Sequence, residues 1–332
     1  MTERNPGTGP AAGMRPAVAR ALADLGDRLP DLVVLAADGR ALATAFAARH
    51  PDRFIDVGIA EGNLMGVAAG LARAGQRVVV CGMAPFLVRR AAEQLRIDIC
   101  RPGLDVTVLG VGGGLGYGTL GATHHVPEDL GALSAMPHTR VYCPADVHAA
   151  DWAVRDAVLG GGPRYVRLGA REDPVVHAAD TPFSFDRPGV FDFDGPDSTS
   201  DPGDPDAPGD AVVVAAGRTV AEALRAADAV RPHGRRVRVL GLTAVFPFPR
   251  EALLAAVSGA STVVTVEEHH VLGGLATQTA LALAGRWHGT FRFLAVDERP
   301  APVLDQAGLF HFYGIDAASI ARALVEPPPT PE

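Results

Sequence analysis

The sequence predicts an α/β protein built as two doubly wound α/β domains on mainly parallel sheets. Three observations carry that prediction. Short apolar runs of strand length alternate with segments whose apolar residues recur at helical spacing, an order that implies parallel strands covered by helices on both faces. The length, 332 residues, suits about two domains. One Asp-, Pro- and Gly-rich stretch, 195–210, divides two such series.

Taken in order, residues 1–13 are rich in Gly and Pro and read as disordered. From Arg15 a helix runs to about 28, followed by a strand at 32–35 and a short helix near 40–49. An extended run, 54–57, then meets a helix opening at Glu61, with Leu64, Val67, Ala68 and Leu71 on one face. Strands at 77–81, 105–111, 139–143 and 165–168, with helices at 86–99, 128–136 and 145–159, complete a first domain, 14–178. The segment 179–210 reads as a linker whose acidic insert cannot bury enough apolar surface to offset its ordering entropy. A second domain, 211–326, has strands at 211–216, 236–240, 262–267 and 291–296 and helices at 220–230, 250–257, 274–284 and 317–324. A tail, 327–332, follows.

Composition narrows the function. The net charge is −8, yet 195–210 alone holds five Asp and no Lys or Arg, so no basic surface for nucleic acid is indicated. No apolar run approaches the ~20 residues that span a bilayer. The first residues lack an apolar signal core, so a cytoplasmic protein without membrane contact is expected. Cys81, Cys100 and Cys143 have no CxxC spacing and are expected as buried thiols.

One stretch organises the chain: Asp56-Val57-Gly58-Ile59-Ala60-Glu61-Gly62-Asn63-Leu64-Met65-Gly66. Its single carboxylate after the strand, Glu61, stands among small residues at a strand-to-helix junction, where a ligand could approach closely. An acid walled in by apolar groups needs a partner or a task. The plainer reading is a helix-opening glutamate stabilised by the helix dipole. Position alone leaves both open.

Ile59-Ala60-Glu61-Gly62-Asn63, followed by Gly66 and a small-residue helix to Gly75, resembles the cofactor-activating motif of transketolase-like thiamine diphosphate enzymes. The resemblance runs from about Met14 to Leu324, outside the insert, and is strongest to the short C-terminal subunit of split, two-subunit transketolases. It implies a pyrimidine-binding domain followed by a transketolase C-terminal domain. In that family the glutamate hydrogen-bonds a pyrimidine nitrogen of the cofactor and favours its imino tautomer. Phe86, in Phe86-Leu87-Val88-Arg89-Arg90-Ala91-Ala92-Glu93-Gln94, matches the aromatic residue that stacks on that ring. Ile59 and Met83 are expected beside the cofactor. His124, in Gly121-Ala122-Thr123-His124, matches a histidine that faces substrate. Arg15, Arg89 and Arg171 are weaker matches to substrate-facing arginines. No metal ligand is assigned to this chain.

No Gly-Asp-Gly segment, the mark of the family's diphosphate-binding domain, occurs in the sequence, so that domain is expected on another chain. The resemblance therefore implies that an N-terminal partner subunit supplies the diphosphate and Mg²⁺ ligands, in a dimer of heterodimers. The implied reaction moves a two-carbon ketol unit from a ketose to an aldehyde. Counting back from His124, Gly112 and Leu120 stand where the family has a histidine and an aspartate that grip donor hydroxyls. Ala36 replaces a phosphate-binding serine, and Ala170 or Arg171 stands at a phosphate arginine. These departures imply a specialised or unphosphorylated substrate, in a biosynthetic pathway. Two enzyme alternatives share the domain order: a 2-oxoacid dehydrogenase beta subunit and a deoxyxylulose-phosphate synthase-like enzyme. A non-catalytic scaffold is a third. Glu267-Glu268-His269-His270 resembles a family loop expected near the domain interface or the active-site mouth.

Overall fold

The computed structural model describes residues 11–37, 40–193 and 210–326. The readings made for 1–10, for most of the 195–210 insert and for the tail lie outside these residues. The first sheet has seven strands in the spatial order Ala244–Phe246, Arg140–Tyr142, Arg164–Leu168, Val106–Val111, Arg77–Met83, Leu32–Ala36 and Phe54–Asp56. The last six are mutually parallel. Leu32–Ala36 and Val106–Val111 are buried at every position, as strands covered on both faces must be. One cover is the long helix Met14–Arg28, packed beside Val147–Gly160 over Leu32, Val34 and Val79. The opposite cover is the helix Glu61–Arg73, whose Leu64, Met65 and Ala68 face Val78, Val80 and Leu95.

The second sheet runs Thr290–Val296, Thr262–His270, Ala211–Ala216, Val237–Leu242 and Gly189–Phe193, with only the last strand antiparallel. That edge strand lies inside the stretch read from sequence as linker. A second addition is the strand Ala244–Phe246, which leaves its own domain to pair antiparallel with Arg140–Tyr142 of the first sheet. The two domains thus share a backbone ladder. A further helix, Gln306–Tyr313, opens on Asp305, whose side chain accepts from the Gly308 N–H, and closes on left-handed Gly314. The helix expected at 86–99 is irregular. Its first turn, Phe86–Arg90, closes with an i→i+5 bond from the Ala91 N–H to the Phe86 carbonyl, 3.2 Å.

All three thiols are buried and free. Burial pushes Cys81 and Cys143 up to about 12, so neither is a reactive thiolate. No helix among the described residues is long and apolar enough to cross a membrane.

Candidate active site

Glu61 is the first residue of its helix, just after the Phe54–Asp56 strand, and its carboxylate is 5 % exposed. The chain reaches it through Gly58, in the left-handed region at φ 72°, and Ala60 at the cap. Across from it, Arg90 Nη1 lies 3.0 Å from Oε2. The same guanidinium sits 4.6 Å from the centre of the Phe86 ring. Phe86 in turn meets His124 edge-on at 5.3 Å, and His124 meets Tyr117 at 6.2 Å. Thr123 Oγ1 lies 2.9 Å from His124 Nδ1, which leaves Nε2 for a ligand. Glu61, Phe86 and His124, far apart in sequence, therefore stand in one row.

The other expected residues fall around this row. Ile59 is 73 % exposed beside Glu61, and Met83 is half-buried at the end of its strand. Arg89 pairs with Glu128, at 3.2 Å. Arg15 donates to the Ala170 carbonyl, and Arg171 lies 3.5 Å from Thr119 Oγ1. Both arginines line an open cavity of about 740 Å³ with Gly13, Pro16, Ala41 and Glu172. The short antiparallel pairing of Ala12–Gly13 with Glu172–Asp173 brings these arginines together.

Sequence reasoning missed Arg90 and Tyr117. Arg90 had no signal beyond its neighbour's. Tyr117 did carry one, in Gly112. Gly112 has φ 73°, and a Cβ there would lie 2.0 Å from the Tyr117 ring. The ring occupies the space that a side chain at 112 would need. Burial raises the Tyr117 pKa, opposed by the charges of Arg15 and Arg171, so the phenol feels both arginines.

The loop carrying Tyr117 and His124 is fixed by the second domain at both flanks. Glu268 Oε1 accepts from the Leu115 N–H at 2.8 Å and from Gln306 at 2.6 Å. The His270 N–H donates to the Pro127 carbonyl at 2.7 Å, and the Gly131 N–H to His269 Nε2 at 3.0 Å. Burial drives His269 down to about 4, so a neutral ring accepts that bond. Glu267 caps the Leu275–Leu283 helix through the Leu275 and Ala276 N–H groups. The Glu-Glu-His segment is thus a buried interdomain clamp.

A buried carboxylate beside an aromatic face fits the edge and plane of an aminopyrimidine. No cluster of three or more His, Cys, Asp or Glu among the described residues could hold a metal ion. The fold is that of a two-domain α/β subunit, and its family matches place it in the thiamine diphosphate-dependent class. Residues 11–172 match the family described as transketolase, pyrimidine binding domain, and 206–320 match transketolase, C-terminal domain. An apulose-4-phosphate transketolase subunit of Actinobacillus succinogenes is 33 % identical over 87 % of this chain and 90 % of its own. A 6-deoxy-6-sulfo-D-fructose transketolase subunit of a Clostridium species is 30 % identical over 89 % and 88 %. A solved split-gene transketolase, an inactive beta4 tetramer, superposes with TM-score 0.81 at 32 % identity, over 95 % of this chain and 97 % of that one. The chain belongs to the transketolase family, in its split-subunit form.

Proposed function

We propose that this chain forms the pyrimidine-side half of a heteromeric, Mg²⁺- and thiamine diphosphate-dependent transketolase and is active only with an N-terminal, diphosphate-binding partner, as a dimer of heterodimers. The observation that carries this reading is Glu61, buried at a strand–helix junction in one row with Phe86 and His124. When bound, thiamine diphosphate supplies the carbanion chemistry for breaking and making a carbon–carbon bond beside a ketone. Glu61 shares a proton with the pyrimidine edge, and Phe86 offers its ring face while excluding water. His124 Nε2 exchanges a proton or hydrogen bond with a substrate hydroxyl. Ile59 and Met83 supply apolar walls.

The substrate we propose is a modified sugar with an anionic end. Arg15 and Arg171 flank an open cavity, and Tyr117 stands beside them. Leu120, 52 % exposed, and Gly112 offer no polar group for extra hydroxyls. Of the two alternatives left by the sequence, a specialised or an unphosphorylated substrate, the relatives named for apulose-4-phosphate and sulfofructose suit the first. Arg89, paired with Glu128, remains a weaker substrate contact.

The test is to measure thiamine diphosphate binding and ketol transfer with this chain, the partner subunit, and their mixture. Only the mixture should bind cofactor tightly and turn over. Tight binding by this chain alone would sink the shared site. Acyl transfer to a lipoyl carrier would point to the dehydrogenase alternative.

A further inference from the structure

We propose that Arg90 is a built-in stand-in for the cofactor ring: in the free subunit its guanidinium occupies the two contacts an aminopyrimidine would make, and it swings aside when the cofactor seats. This inference rests on the shared-site reading above.

The geometry points to this role in three ways. Arg90 is within 3.0 Å of the Glu61 carboxylate and also lies over the face of Phe86, at 4.6 Å. A guanidinium is planar, with donors on its edge and a face that stacks on aromatic rings. An aminopyrimidine has the same shape, so one group satisfies an acid and a ring in the way the other would. The wide Phe86–Arg90 turn makes this possible. Its i→i+5 bond sets side chains four apart nearly in line, which carries Arg90 back over Phe86.

The second point is which partner can move. The Glu61 side chain is 5 % exposed and the Arg90 side chain 53 %. The acid is fixed at its helix start, while the arginine's ion-pair and ring contacts among the described residues are both made by its head. The third is what the pair does for the free chain. A carboxylate this buried is costly without a cation, and Arg90 supplies one. Its neighbour Arg89 does not compete, because it is engaged by Glu128 at 3.2 Å. Cofactor uptake then exchanges one planar partner for another. The diphosphate contacts of the second subunit tip the exchange, so the chain alone holds its site closed.

The test uses full-length wild-type, Arg90→Met and Arg90→Lys chains, each mixed with the partner subunit, with thiamine diphosphate affinity measured by calorimetry. A half-exposed ion pair and one cation–π contact together set the scale, so Arg90→Met should bind about tenfold more tightly than wild type. Arg90→Lys keeps the charge without the plane and should fall between the two. Thermal unfolding of each chain without cofactor checks that the variants fold. Equal or weaker binding by Arg90→Met, beside measurable wild-type binding, overturns this inference and leaves the shared site standing. No binding by any of the three mixtures overturns the shared site itself, and the stand-in role with it.

Discussion

The Asp129 carboxylate and the Arg167 guanidinium meet as a fork, Oδ1 2.7 Å from Nη2 and Oδ2 3.0 Å from Nε, with neither group open to solvent. Tyr165 donates to the same Oδ2 at 2.7 Å, and Arg167 also donates to the Glu268 carbonyl of the second domain at 3.0 Å. Burial works against the arginine's charge, yet Asp129, Cys143 and Glu268 together hold its pKa above the usual value. The fork is therefore a joint between domains as well as a pair within one. Arg167→Met leaves the buried Asp129 without its cation, held only by neutral donors such as Tyr165. It should lower unfolding free energy by about 3–5 kcal/mol, read from denaturant midpoints. Arg167→Met with Asp129→Asn should recover part of that loss; a double variant no better than the single one would refute the pairing as the cause.

Glu61→Gln keeps shape and burial but cannot share a proton in the same way. In the mixture with the partner subunit it should lower turnover by at least ~10². Its unfolding midpoint should stay close to that of the wild type, because Arg90 is half-exposed and can rehydrate. Full turnover by Glu61→Gln would favour a non-catalytic role for this carboxylate.

The clamp at 267–269 makes stability depend on pH. Burial raises Glu268 to about 7, opposed by Arg167 and Gln306, and raises Glu267 to about 8, opposed by the Ala276 and Leu275 N–H groups. The unfolded chain releases these protons near 4.5, so the folded state binds more protons, and stability falls as pH rises towards 7 and 8. His269 acts oppositely, adding stability as pH rises from about 4 to 6.5, and is constant above that. Between 6.5 and 8 the carboxylates therefore govern. Unfolding free energy should fall there, by at most about 1.4 kcal/mol per pH unit for each proton. Glu267→Gln should flatten the slope, and an unchanged slope would show that Glu267 is ionised throughout.

Arg15→Ala and Arg171→Ala should each raise KM for an anionic ketose with little change in kcat. A charge-assisted bond of about 1.5–3 kcal/mol corresponds to roughly 10- to 150-fold. The control is the matching uncharged ketose. If its KM rises equally, the arginines act on the loop and not on the anion.

Much of the fold was legible in the sequence because strands buried on both faces are written as apolar runs. Leu32–Ala36, Ala211–Ala216 and the helix opening at Glu61 fell where expected. The Gln306–Tyr313 helix, absent from the expected elements, carries its own sequence signals in Asp305 at its start and Gly314 at its end. Gly189–Phe193 and Ala244–Phe246 are different in kind. Each short strand gains its order by pairing with a neighbour already in a sheet, and a partner across the chain leaves no local trace.

The same division holds at the site. Local sequence determined that Glu61 would open a helix directly after a strand, that Phe86 would open another, and that His124 would lie between elements, because strand and helix periodicity are properties of neighbouring residues. Only tertiary structure decided that Arg90 would cover both Glu61 and Phe86, that Tyr117 would fill the space above Gly112, and that Glu268 would hold the His124 loop from another domain. Of these, Arg90–Glu61 and Leu115–Glu268 join residues remote along the chain, and their energies exist only once the elements that carry them have been brought within a few ångströms.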